Sequence, residues 1–235
     1  MPRRQGIIQG FRARPDRHAR LAVHPHTCRP PLSTDLSSPS DPPSQEPRLI
    51  KHIANIRTSG TIVRSSSYLI TRLLRAIDFE TARTVVQLGV GTGCITRELL
   101  RRLRPDARLI AFEVNRVFVE ECRCLEDGRL DLRHACAGTL PDVLDALGID
   151  RIDAVVSSLP LAIMPDALVD RILTASQAHL AADGKFLQYQ YSLTNLGMLE
   201  RRFPDVRLGF TLRNLPPAFV YECSQQPPAR RASLA

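Results

Sequence analysis

The stretch Val85-Val86-Gln87-Leu88-Gly89-Val90-Gly91-Thr92-Gly93-Cys94-Ile95-Thr96 constrains the fold more than any other part of the chain. An apolar, β-branched run leads into three alternating glycines, and a helix-compatible segment follows. Glycine adopts positive φ freely and lets backbone pass close to a ligand. Gly89, Gly91 and Gly93 therefore read as a strand-to-helix turn wrapped against a bound small molecule. In open α/β sheets, ligands sit at the carboxyl ends of the strands, where the strand order reverses. A nicotinamide-binding turn is usually GxGxxG, with a pyrophosphate on the helix N-terminus; here the third glycine comes one residue early. Glu113 follows twenty residues beyond Gly93, at the end of the next apolar run Leu109-Ile110-Ala111-Phe112. An acid in that place hydrogen-bonds ribose hydroxyls in such folds, and one carboxylate can accept from both.

The rest of the chain keeps the same rhythm. Strands are expected at Thr84–Leu88, Arg108–Phe112, Leu130–His134, Ile152–Ser157 and Gly184–Tyr189. Helices are expected at Ser67–Ile77, Cys94–Leu103, Val117–Leu125, Leu140–Leu147 and Pro165–Leu180. This alternation predicts an α/β fold, a doubly wound and mostly parallel sheet covered by helices on both faces. A helix near Leu193–Phe203 and a hairpin of Val206–Leu212 with Ala218–Cys223 would complete seven strands, with a C-terminal antiparallel strand.

With 235 residues, 43% of them hydrophobic, one core and one domain are expected. That domain is expected over residues 48–224, followed by a short disordered tail at 225–235. Residues 1–47 hold nine of the 18 prolines and read as a disordered, basic Pro/Ser-rich tail. The net charge of +8 is uneven: residues 1–57 carry ten Arg or Lys against four acids. Within them, Leu49, Ile50, Ile53 and Ile56 recur at helical spacing among basic residues, the pattern of a short amphipathic helix over 48–57. Such a helix suits an anionic membrane surface. None of the six cysteines forms a CxxC pair, so no metal site is expected. Scattered thiols fit a reduced, cytoplasmic setting. No apolar run approaches the ~18 residues of a spanning helix.

The segment from Arg83 to about Cys124 resembles motifs I and II of the class I S-adenosylmethionine-dependent methyltransferases, in which the GxGxG variant is found. Four further segments, Gly60–Ser66, Ser157–Leu161, Gln188–Ser192 and Asn214–Ala218, resemble those of bacterial phospholipid N-methyltransferases. A more distant likeness is to the rRNA adenine dimethylases. The resemblance runs from about Leu49 to Cys223. It implies S-adenosylmethionine as cofactor and the amine of phosphatidylethanolamine as methyl acceptor, with action as a monomer, peripheral on the inner face of the membrane. It implies cofactor contacts from Gln87, Gly89, Gly91, Gly93, Glu113, Cys136, Ser157 and Leu159, and acceptor-side roles for Ser158, Tyr189 and Tyr191. Three positions depart from the family pattern. Gln87 stands where an acid is usual, Arg64 where Pro is common, and His134-Ala135-Cys136-Ala137 lacks the acid that contacts adenine.

The acceptor loop discriminates between substrates. Adenine methyltransferases place an amide or acid and an aromatic around the proline, because an unpaired base needs hydrogen bonds and a stacking face. Here those positions are Ser158 and Leu161, which argues against nucleic acid. Tyr189 and Tyr191 could meet a methylated ammonium through their ring faces; the plainer alternative is structural, one ring in the core and one on the surface. Tyr68 is a third aromatic candidate. An ethanolamine-type amine is largely protonated at neutral pH, and His134 is the nearest sequence candidate for a base. Two alternatives remain open here: an rRNA methyltransferase drawn by the basic tail, and a methyltransferase-like module without catalysis.

Overall fold

The computed structural model describes residues 65–227. The tail 1–47, the helix expected over 48–57, the segment 60–64 and residues 228–235 lie outside the described residues. Ser66 begins the described fold as the N-cap of α1 (Ser67–Leu74), its hydroxyl accepting from the Leu69 amide. The alternation then runs β1 (Thr84–Leu88), α2 (Cys94–Arg102), β2 (Arg108–Glu113), α3 (Arg116–Arg123), β3 (Leu130–His134), α4 (Leu140–Ala146) and β4 (Ile152–Ser157). It continues with α5 (Asp166–His179), β5 (Leu180–Gln190), α6 (Leu196–Arg202), β6 (Asp205–Thr211) and β7 (Ala218–Ser224). Single 3-10 turns precede α4 and α5, at Ala137–Thr139 and Leu161–Ile163.

The seven strands form one sheet in the order β3-β2-β1-β4-β5-β7-β6. The first five are parallel, and β7 runs antiparallel to both β5 and β6. This is the doubly wound sheet with an antiparallel C-terminal strand that the alternation predicts. The central strands are buried on both faces, which is why they read as continuous apolar runs rather than alternating ones. Val86, Leu88, Ile110, Phe112 and Val155 pack toward α4, α5 and α6. Val85, Leu109, Ala154 and Val156 pack toward α1 and α2.

One element differs from expectation. β5 starts at Leu180 rather than Gly184, taking over directly where α5 ends at His179. Its register against β4 shifts between Leu180, opposite Ile152, and Lys185, opposite Ala154. Gly184 stands in that irregularity, where a Cβ would lie 2.9 Å from both the Ala181 carbonyl and Leu180 Cγ. A glycine inside a strand often marks such a close backbone approach. Helix ends are otherwise trimmed by one to three residues, as at α1, which stops at Leu74 rather than Ile77.

Candidate active site

The strand order reverses between β1 and β4, so the crevice beyond their carboxyl ends is where an α/β sheet binds ligands. Both loops that leave these strands are tied together there. The Ser158 amide donates to the Leu88 carbonyl and the Ser158 hydroxyl to the Gly89 carbonyl, each at 2.9 Å. Gly89, Gly91 and Gly93 have φ of 82°, 54° and 76°, left-handed values that side chains tolerate poorly. Gly93 is also sterically confined: a Cβ would lie 2.7 Å from Cys122 Sγ.

Glu113 is only 2% exposed. One carboxylate oxygen accepts from the Gly91 amide at 2.8 Å, and the other from the Val114 and Asn115 amides at 3.0 and 2.9 Å. A carboxylate has about four acceptor sites, and at least three serve backbone here. Glu113 thus fastens the glycine turn to the end of β2, at the place where an acid meets ribose hydroxyls in such folds.

Gln87, buried beneath the turn, donates from Nε2 to the Gly89 carbonyl at 3.3 Å and accepts at Oε1 from the Thr96 hydroxyl at 2.9 Å. An amide both donates and accepts, which a carboxylate cannot do. The departure at this position thus has a structural counterpart in Thr96, also fully buried.

On the acceptor side, Ser157 is buried and its hydroxyl accepts from the Leu159 amide at 3.3 Å. The Leu159 carbonyl accepts from two side-chain amides, Gln188 at 3.0 Å and Gln190 at 3.2 Å. These two glutamines hold the loop, and sequence reasoning gave neither a role. Their signal was two amides alternating with tyrosines at the end of an apolar strand. Leu161, where a base-stacking aromatic would stand, is 3% exposed and part of the core.

Tyr189 and Tyr191 do not divide between core and surface. Tyr191 lies one residue past the end of β5, and its ring meets that of Tyr189 edge-on with centroids 5.9 Å apart, Tyr189 half-buried and Tyr191 exposed. The Ser65 hydroxyl donates to the Tyr189 hydroxyl at 3.4 Å. Asn214, buried in the β6–β7 connection, accepts from the Ser66 amide at 2.9 Å and donates to the Pro216 carbonyl at 2.7 Å. The Ser66 hydroxyl donates to the Arg213 carbonyl at 2.8 Å, and the Arg213 guanidinium lies 4.8 Å over the Tyr68 ring. Ser65 and Ser66, the described end of the first of the four short segments, therefore meet the other three at the carboxyl ends of the central strands.

His134 and Cys136 are placed less decisively. His134 is exposed, with Nε2 3.2 Å from the Val114 carbonyl. The Cys136 thiol caps its own 3-10 turn, accepting from the Gly138 amide at 3.4 Å. Among the described residues no cluster of His, Cys, Asp and Glu could hold a metal, and no helix is long and apolar enough to cross a membrane. An open cavity of about 1010 Å³ lies elsewhere, lined by Pro105, Arg108, Gly128 and Asp131 where β2 and β3 begin. A smaller one of about 600 Å³, lined by Leu161, Asp166, Asn195 and Met198, adjoins the acceptor loop. The glycine turn, Glu113, Ser158 and Tyr189 line neither of them.

No family model matches the chain. The chain is 34% identical over 167 residues, 70% of its length, to ornithine lipid N-methyltransferase of Singulisphaera acidiphila, and covers 87% of that protein. It is 28% identical over 101 residues to ribosomal RNA small subunit methyltransferase H of Ralstonia pickettii, covering 43% of this chain but 32% of that one. Among solved structures, it superposes on precorrin-6Y C5,15-methyltransferase of Geobacter metallireducens with a TM-score of 0.56 at 14% identity, over 71% of this chain and 93% of the other.

Proposed function

Since this chain belongs to the family of ornithine lipid N-methyltransferase, within the class I S-adenosylmethionine-dependent methyltransferases, we propose that it methylates the primary amine of a phospholipid headgroup, phosphatidylethanolamine, at a membrane surface. The coarser activity, methylation of a lipid amine with S-adenosylmethionine, follows from that membership. When bound, the cofactor supplies an electrophilic methyl group on a sulfonium. The residues at the switch point fit it: a glycine turn with three left-handed positions, a buried carboxylate fastening that turn, and no side chain on the turn's glycines to fill the crevice.

The chain's own residues act by positioning. Gln87 and Ser158 both donate to the Gly89 carbonyl, so the cofactor turn and the acceptor loop share one hinge atom. A hydroxyl whose hydrogen is committed to Gly89 meets any further group as an acceptor. Ser158 is thereby suited to receive an N–H of the incoming amine and aim its lone pair. Holding the amine in line supplies much of the rate that positioning can give. The adjoining Tyr189 and Tyr191 rings offer π faces that favour a cationic, methylated product.

The observation that carries this reading is Leu161. With that side chain folded into the core, the loop presents no stacking platform for a base, which disfavours the ribosomal RNA alternative and suits a small aliphatic amine. Incubating the protein with methyl-labelled S-adenosylmethionine and, separately, phosphatidylethanolamine, ornithine lipid and ribosomal RNA tests it. Label in phosphatidylethanolamine is expected. Label confined to ornithine lipid would move the headgroup, and label confined to RNA would sink the lipid reading.

A further inference from the structure

The acceptor half of the sheet edge has almost no charge. Residues 65–70, 157–165, 188–196 and 211–219 converge there, and they contain no Asp, Glu or Lys; Arg213 is their one charged residue, in a chain that is 24% charged. The cofactor half of the same edge is ordinary by contrast, with α3 opening on Arg116 and carrying Glu120, Glu121 and Arg123. On the uncharged half, Tyr68, Ile163, Tyr191, Leu193, Leu212 and Leu215 are all exposed, Leu212 at 75% and Leu215 at 82%. Between these two leucines, Asn214 is 3% exposed and anchored to Ser66 and Pro216. The tip of the β6–β7 hairpin is thus a fixed support that displays two leucines and Arg213 outward.

We infer that this rim docks the protein on an anionic phospholipid bilayer, with Leu212 and Leu215 entering the acyl boundary. Several features point to a bilayer rather than to another protein. The four segments bring no acid of their own against anionic headgroups, Asp166 following only at the start of α5, and Arg213 sets a positive charge at the hairpin tip. Arg213 can reach lipid phosphate while its side chain lies on the Tyr68 ring, in the manner of basic side chains at interfaces. Tyrosines are at home at headgroup depth, as Tyr68 and Tyr191 would be. The rim also borders Ser158 and Tyr189, so a lipid amine would enter the site without its chains leaving the membrane. The inference rests on the lipid-amine reading and adds the surface that delivers the substrate.

The test is flotation of the full-length protein and its L212D/L215D double variant with vesicles of phosphatidylcholine and phosphatidylglycerol in equal parts. Methyl transfer to phosphatidylethanolamine dispersed in detergent micelles is measured in parallel. Both leucines are exposed, so the variant should fold; an unchanged thermal melt checks this. The expected result is a vesicle-bound fraction lowered roughly tenfold or more with micellar activity largely kept. A variant that floats like the parent overturns the docking surface, and so does a parent that methylates micellar lipid without binding vesicles. A parent dimer that the substitutions dissociate, with vesicle binding unchanged, assigns the rim to self-association instead and overturns the inference. A parent inactive on every micellar lipid amine overturns the lipid reading itself, and this inference with it.

Discussion

Glu113 and Gly93 illustrate how much a single position carries at the switch point. Three backbone amides end on the Glu113 carboxylate. A glutamine there would turn a donor toward one of those amides, and an unmet buried donor costs about 1–3 kcal/mol. Glu113→Gln is therefore expected to weaken S-adenosylmethionine binding about tenfold or more, measured by calorimetric titration. Gly93→Ala adds a methyl at a left-handed φ of 76° against Cys122 Sγ. Strain of that kind costs on the order of 1–3 kcal/mol, to be seen as a lower denaturant midpoint together with lost cofactor binding. Cys122 itself stays a thiol, because burial pushes its pKa up to about 11. Gln87 carries a lesson of the same size. Read alone, it marks a missing acid; read with Thr96, it is an amide that both donates to the Gly89 carbonyl and accepts from the Thr96 hydroxyl.

At the scale of elements, the hairpin that closes the sheet also positions the helix that opens the described fold. Asn214 joins the β6–β7 connection to the N-cap of α1, and the Tyr221 hydroxyl joins β7 to the Ser192 carbonyl beyond β5 at 3.0 Å. Replacing Asn214 by Ala leaves the Ser66 amide without its side-chain acceptor. A loss of about 1–2 kcal/mol in unfolding free energy is expected, with faster amide exchange across Ser66–Leu69 as the local readout; unchanged exchange there would show that the tie does not hold α1. Gln188 and Gln190 act on the loop after β4 in the same way. Gln188→Leu removes one donor from the Leu159 carbonyl and also one from the Tyr189 carbonyl. It should lower kcat for methyl transfer several-fold with little change in cofactor affinity, since its contacts lie on the acceptor side.

For the whole molecule, carboxylates paired with arginine contribute to how stability depends on acid, Glu98 and Asp127 with the lowest values among the described residues. Hydrogen bonds from Arg101 and Arg102 hold Glu98 at a pKa of about 2, and Arg129 holds Asp127 at about 2. Arg129 also caps α2 through the Leu100 and Leu103 carbonyls at 2.7 and 2.6 Å. Both folded pKa values lie below those of the unfolded chain, so this contribution is complete above about pH 4.5 and is lost as pH falls toward 2. Thermal melts between pH 6 and 2 should show that decline, and the E98Q/D127N variant should show a shallower one. The amino-acid sequence by itself determined the alternation of strands and helices, the glycine turn and the acid twenty residues later, because these depend on local periodicity and on glycine's backbone freedom. Four short segments could be picked out in the sequence as well, but not what they do to one another. Only the tertiary structure decided that Glu113 receives the Gly91 amide, that Gln188 and Gln190 hold the Leu159 carbonyl, that Leu161 is buried, and that a rim poor in charge forms around the acceptor loop. Those are contacts between residues far apart in the chain, such as Ser66 with Asn214, and no local pattern encodes which distant partner will satisfy a buried polar group.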